Sequence, residues 1–440
     1  MSELKISPIH SNSNRKTIRA WAWYDWANSV YSLTITSAIF PVYYTAVTTT
    51  DSGSIVNFLG FTLENTVLYS WVLSLSFLIS AALTPILSGI ADYGGRKKWF
   101  MQAFCYLGGF SSIALSGFTG PENLEFGMTA FLFASLGFTG SLVFYNAFLP
   151  EICAPSEYDK VSARGYAMGY LGSMILLILN LLMIQKPDWF GLDPGTWPAR
   201  ISCITVGLWW IGFAQITFRG LPKEPQNRGF VPGILTKGFQ ELRQTWASLK
   251  NLPQLKTFLS GFFFYSMGIQ TVMYMATLFG SKELKLETSD LILTVLLIQL
   301  VGIGGAYLFA WLAKMLGNPQ AILIALFIWV LICFAAWFTY TREEFFGIAI
   351  GVGLVMGGTQ SLSRSTFARN LPETIDHASY FSLLDFTEKM AIVLGTASYG
   401  FFEVITGNMR NSIVLLMVFF LIGAVAMIGM IREQKRLPTR

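Results

Sequence analysis

Histidine and cysteine are scarce in this 440-residue chain, with two of the first and four of the second. His10 and His377 cannot complete a zinc set, and Cys105, Cys153, Cys203 and Cys333 contain no Cys-x-x-Cys pair. A metal site is therefore not expected, and the cysteines read as structural thiols. Charge is scarce too: 12% of residues are Asp, Glu, Lys or Arg, about half the share of an ordinary soluble domain. The amino-terminal stretch from Met1 to Lys16 is polar, with no short apolar core and small-residue cleavage site, so no removable signal peptide is expected. Period-2 alternation is missing, which argues against membrane-crossing strands. The strings Gly302-Ile303-Gly304-Gly305 and Gly351-Val352-Gly353 lie in apolar runs with no strand before them. They read as close helix contacts rather than phosphate loops, so no cofactor is expected.

What the chain has instead is hydrophobic length. Apolar residues make up 53% of it, and they gather into runs long enough to cross a bilayer, for which a helix needs roughly 20 residues. Twelve such runs begin near Ala20, Thr66, Trp99, Leu124, Ala163, Trp197, Pro253, Asp290, Pro319, Phe345, Ser379 and Asn411. Backbone groups find no water at that depth, so each crossing is expected to be helical. The fold class is an all-α integral membrane protein of twelve transmembrane helices in two six-helix bundles, residues 20–218 and 253–432. A cytoplasmic segment (1–19) precedes them, a basic cytoplasmic linker (219–252) joins them, and a short tail (433–440) follows.

Cations set the orientation, because short loops rich in Lys and Arg stay cytoplasmic. With both termini inside, 23 of the 30 Lys and Arg fall on the cytoplasmic side and six on the other, with Lys389 inside a span. The net charge of +5 thus reads as membrane topology and not as a nucleic-acid surface. The halves also correspond: the turn Ala91 to Lys97 after span two and the turn Ala313 to Pro319 after span eight are offset by 222 residues. Pseudo-symmetric halves that rock about a central site are the mark of secondary transporters.

Charged groups inside spans cost about 2.5 to 3.5 kcal/mol each on insertion scales, so those present are paired or functional. Asp25 lies about 9 Å into span one, shallow enough to reach headgroup water, with Asn28 on the same face. In span eleven Lys389 lies near the midplane. Asp385 precedes it by four residues, the favourable order for a helical ion pair, which leaves Glu388 as an extra acid and a candidate proton carrier. In span ten Gln360 and Arg364 share a face, and a guanidinium suits a carboxylate or phosphate. Arg364 and Lys389 together would form a cationic half-site facing Asp25, Asn28 and Asn146.

The loop Ser88-Gly89-Ile90-Ala91-Asp92-Tyr93-Gly94-Gly95-Arg96-Lys97 resembles the loop 2-3 signature of the major facilitator superfamily, with Ser88 where a Gly is usual and Tyr93 where a basic residue is common. The resemblance implies a cytoplasmic gate carried by Gly89, Asp92, Gly95, Arg96 and Lys97. An acid beside such a turn can also cap a neighbouring helix start. A narrower resemblance, to the vacuole-effluxer branch of that superfamily, covers nearly the whole chain. It rests on Tyr24-Asp25-Trp26-Ala27-Asn28-Ser29, Tyr145 to Glu151, Gly165 to Gly172, Gly357 to Ser365 and Glu388-Lys389. Met267 departs from it, standing where similar chains often carry an Asp. The resemblance implies a transporter that releases amino acids.

The expectation is a secondary active transporter, not an enzyme, that moves an amino acid or related zwitterion or anion, with protons as candidate coupling ions. Export of drugs or other hydrophobic compounds is the alternative. The expected setting is the plasma membrane of a bacterium, with the lipid bilayer and the small-molecule solute as partners and a monomer as the working unit.

Overall fold

The computed structural model describes residues 14–49, 53–222 and 234–436. Parts of the terminal segment, the linker and the tail lie outside those residues. Twelve long helices and one linker helix account for nearly all of what is described. In chain order they are α1 (Arg15–Thr48), α2 (Asn65–Gly94), α3 (Lys97–Ala114), α4 (Leu124–Ala147), α5 (Tyr158–Gln185) and α6 (Trp197–Gly220). The linker helix α7 (Ile234–Ser248) follows, then α8 (Pro253–Glu283), α9 (Thr288–Leu316), α10 (Asn318–Trp337), α11 (Arg342–Arg369), α12 (His377–Thr406) and α13 (Met409–Arg436).

Local chemistry sets the helix ends. Asn14 caps α1 through the amide of Lys16, and Thr341 and Glu344 form a reciprocal capping box at the start of α11. Proline sits in the first turn of α6, α8 and α10, where its missing N–H costs nothing. Gly95 at φ 61° and Gly407 at φ 66° close α2 and α12 in the left-handed conformation. Ten segments are long and apolar enough to cross a membrane by composition alone; α3 and α12 complete the twelve. Those two are the ones loaded with Lys97 and Lys98, and with Asp385, Glu388 and Lys389.

Strands do occur: β1 (Ile55–Phe58) pairs antiparallel with β2 (Phe61–Glu64) in the α1–α2 connection. Leu59 and Gly60 both take positive φ, the turn geometry that matches strand twist. At four residues per strand the hairpin is too short to carry a period-2 signal, and it lies outside the spans. A second feature invisible to hydropathy is the π-helical stretch Tyr31–Ala38 within α1.

The two halves repeat each other contact for contact. In the first, α1 packs on α5 and α6, α2 on α4, and α3 on α4 and α6. In the second, α8 packs on α12 and α13, α9 on α11, and α10 on α11 and α13. Lipid supplies no hydrophobic drive between helices, so small residues that allow close approach take over. Gly302 on α9 meets Gly357 on α11, where an added Cβ would overlap the facing backbone. The glycine string is thus a packing device. The halves meet symmetrically as well, through α2 with α12, α5 with α9, α4 with α12 and α5 with α11.

Candidate functional site

Arg364 is the hub of the junction. It projects from α11 in the second half, yet its described polar partners all belong to the first. Nη1 donates to Asp25 Oδ2 at 3.1 Å and to Asn146 Oδ1 at 3.2 Å. Nε donates to Ser162 Oγ at 2.9 Å and Nη2 to the Ser162 carbonyl at 2.8 Å. The rings of Trp21 and Tyr166 lie 4.7 and 4.3 Å from the guanidinium carbon, within cation–π range. Tyr145 donates its hydroxyl to Asp25 Oδ2 at 2.8 Å. Gly165 on α5 makes room for this arrangement, since a Cβ there would overlap both Asp25 and Arg364.

Of the two places the sequence left open for Asp25, headgroup water and a site facing the cations, the structure has it buried against Arg364. It is 5% exposed. Helix α1 starts at Arg15, five residues before the apolar run, which carries Asp25 deeper into the bundle.

Span eleven carries a second ion pair. Lys389 Nζ donates to Asp385 Oδ1 at 2.7 Å, and Thr84 on α2 donates to Asp385 Oδ2 across the halves at 3.2 Å. The expected cationic half-site thus resolves into two neutral pairs, Arg364 with Asp25 and Lys389 with Asp385. Each buried cation has taken the nearest carboxylate, because an unpaired charge at this depth is costly. Glu388, the residue before Lys389, joins neither ion pair among the described residues and accepts a hydrogen bond from Gln270 Nε2 at 2.8 Å.

Between the halves is a cavity of about 50 Å³ lined by Asn146, Gln360, Arg364 and Glu388, together with Tyr166, Tyr265, Ser266 and Gln270. Four of the eight residues expected from sequence line it. Asp25 sits behind Arg364. Asn28 does not line the cavity; its Oδ1 accepts from Ser29 Oγ at 3.4 Å. Asp385 and Lys389 are also outside the lining. Gln360 accepts from Tyr170 at 2.7 Å, again across the halves. Sequence reasoning missed Tyr166, Tyr265 and Gln270, whose residue types carry no signal inside apolar runs; Ser162, at the start of α5, was likewise passed over.

At the end of the bundle rich in Lys and Arg, here termed the basic face, two latches close the junction. Asp92, at the end of α2, accepts from the backbone amides of Ala378 and Ser379 at 3.2 and 2.7 Å. These are unpaired donors at the positive end of α12. Lys97 lies 4.0 Å from Asp92 and pairs with Glu151, which also meets His377 Nδ1 at 2.9 Å. The second latch uses the corresponding turn of the other half. Asn318 donates to Asp159 Oδ1 at 2.6 Å, and Arg369 pairs with Asp159 Oδ2 at 2.7 Å. A larger cavity of about 570 Å³ opens beside this second latch, lined by Asp159, Asn318 and Arg369, apart from Glu388.

Of the remaining loop residues, Gly95 supplies the left-handed turn and Arg96 begins α3. Gly89 faces Gly238 of α7, and a Cβ on either would overlap the other helix. Helix α7 also reaches the second half, where Ser248 and Tyr380 hydroxyls lie 2.7 Å apart.

Comparison with known proteins fits this geometry. The family model described as vacuole effluxer Atg22-like matches residues 13–438. The chain belongs to the Atg22-like vacuole effluxer family. A relative of this Atg22-like chain in Bacillus subtilis, described as the uncharacterized MFS-type transporter YxiO, is 30% identical over 93% of this chain and 94% of its own length. Autophagy-related protein 22 of Yarrowia lipolytica is 25% identical over 88% of this chain and 79% of its own. Among solved structures, the human organic anion transporter MFSD10 (TETRAN) superposes with a TM-score of 0.71 at 12% identity, covering 95% of this chain and all of the other. The major facilitator superfamily transporter FucP in its outward conformation gives 0.70 at 10% identity, covering 94% and 99%. This Atg22-like chain is a multi-pass membrane transporter of the major facilitator superfamily, not an enzyme, with a small-molecule solute as its cargo.

Proposed function

We propose that the chain is a secondary active transporter that moves an amino acid or a related small zwitterion or anion by alternating access, driven by a proton gradient. The observation that carries this reading is the central cavity, where a guanidinium (Arg364) and a carboxylate outside any ion pair (Glu388) face one space together with the amides of Gln360 and Gln270. A zwitterion offers a carboxylate to the first and an ammonium to the second. Purely apolar solutes would cover this polar lining without hydrogen-bonding to it, which disfavours drug export.

At about 50 Å³ the cavity is far smaller than an ordinary ligand pocket of roughly 300 Å³ or more. Solute entry therefore requires the halves to part. Inter-half hydrogen bonds accepted by Asp92 and Asp159 and donated by Arg364 and Thr84 lie between the basic face and the middle of the bundle, which supports a state closed at that face. The basic face reads as cytoplasmic, with both termini inside, in a bacterial plasma membrane. The halves 20–218 and 253–432 are the rocking bodies of a monomer. Cysteine labelling tests the orientation: an impermeant thiol reagent added to intact cells should modify Asp188→Cys and spare Lys250→Cys.

The solute is tested by a thermal-shift screen of the twenty amino acids and small peptides on the purified protein. A ligand that binds only the folded state at a hundred times its Kd adds about 2.7 kcal/mol of stability. An upward Tm shift with particular amino acids, lost in Arg364→Ala, supports the reading. Shifts only with apolar compounds would replace it.

A further inference from the structure

We infer that the cavity beside the second latch is a binding site for an acidic amino acid, which spans the two halves there and holds the basic face closed. The inference rests on the reading of the halves as rocking bodies, but not on which solute the central cavity carries.

Volume separates this space from the central one. At about 570 Å³ it falls within the range of ordinary ligand pockets, roughly 300 to 1,000 Å³, so it can take a small molecule while the halves stay together. Its wall comes from both of them. Glu157 and Lys160 belong to the first half, at the start of α5, and Lys314 on α9 and Arg369 on α11 belong to the second.

Charge defines the occupant. Arg369 and Asp159 already answer each other across the latch. That leaves Lys160, Lys314 and the half-buried Glu157, whose side chains make no ion pair or hydrogen bond among the described residues. Gln320, in the first turn of α10, adds a buried Oε1 with no hydrogen-bond partner among the described residues. Two ammonium groups call for two anionic groups on the ligand, and a carboxylate with a spare carbonyl oxygen calls for a cationic donor. An α-amino acid with a second carboxylate has that set. Its net negative charge also balances a wall of three cations and two acids. A plain dicarboxylate or a phosphate dianion would face Glu157 with like charge and leave it without a donor.

Because the two lysines stand on opposite halves, a ligand that engages both binds the closed state better than the open one and shifts the population toward closure. The same ligand would slow the transport cycle from the side of the basic face.

Isothermal titration of the purified protein with L-glutamate, glutarate and L-glutamine reads the charge rule. Glutamate should bind most tightly. Lys160→Gln and Lys314→Gln, both at exposed positions, should each weaken it about tenfold, the loss of one charge-assisted hydrogen bond. Glu157→Gln should erase the preference for glutamate over glutarate. Spin labels at Arg19→Cys and Lys256→Cys, exposed at the basic ends of α1 and α8, should report shorter distances when glutamate is added, and no change when Lys160→Gln and Lys314→Gln are both present. No glutamate binding, equal affinity for glutamate and glutamine, affinity undiminished in both lysine variants, or distances that stay or lengthen would overturn the inference. None of these outcomes would touch the zwitterion reading of the central cavity, which fails only when no amino acid binds through Arg364.

Discussion

Replacing Asp25 by Asn should do little to the fold of either half and much to the balance between states. The side chains of Asp25 and Arg364 are 7% and 4% exposed. Removing one partner of such a buried pair ordinarily costs about 3 to 5 kcal/mol, because the survivor is left charged and dry. Here the survivor has an exit. The described polar partners of Arg364 belong to the opposite half, so parting the halves at the basic face returns the guanidinium to water. The penalty therefore falls on the closed state alone. At about 1.4 kcal/mol per factor of ten, it moves the closed-to-open ratio by at least a hundredfold, even at the lower end left by the Trp21 and Tyr166 rings. Spin labels at Lys160→Cys and Lys314→Cys, exposed positions on either side of the second latch, report the separation by double electron–electron resonance. The distribution should shift to longer distances in Asp25→Asn. An unchanged distribution with a lowered Tm would refute the reasoning and make the pair a static strut.

Three further outcomes follow from the same contacts. Asp92→Asn removes the charge that two amides at the start of α12 now hold, so transport should fall at unchanged expression and the same label pair should report more of the open state, by about 0.3 to 2 kcal/mol, the range for a charge at a helix terminus. Asp385→Ala should lower thermal stability by about 3 to 5 kcal/mol, and adding Lys389→Ala should restore much of it without restoring transport, read as a double-mutant cycle of Tm values. Gly238→Leu should lift α7 from α2, because any side chain there meets Ile90; limited proteolysis should then cut within α7 while thermal unfolding of the two bundles stays near the parent's.

The fold was legible because lipid imposes a rule that a single sequence must obey locally. Twelve runs of about 20 apolar residues can be counted without knowing any long-range contact, and the turns after spans two and eight mark the repeat. Helices α3 and α12 are the two that length and composition alone do not mark as spans, because charge interrupts them, and in α12 that charge belongs to the site. The Asp385–Lys389 pair was legible at a spacing of four. The Asp25–Arg364 pair was not, since 339 residues separate its members and no periodicity connects them. The sequence set Arg364 and Lys389 opposite Asp25 but gave no sign that Asp25 pairs with Arg364, so the two cations read as one half-site. The β-hairpin and the π-helical stretch of α1 depend on local backbone geometry over a few residues, below the resolution of a hydropathy pattern. The role of Gly89 also emerged only in three dimensions, where it admits Gly238 of the linker helix.

Flux of a labelled amino acid into liposomes holding the purified protein, with and without an imposed pH gradient, tests the central claim most directly. The account predicts saturable uptake that the gradient drives above equilibrium. Arg364→Ala should lose both the saturable uptake and its accumulation while remaining folded. No amino-acid flux above empty liposomes, or accumulation undiminished in Arg364→Ala, would contradict it.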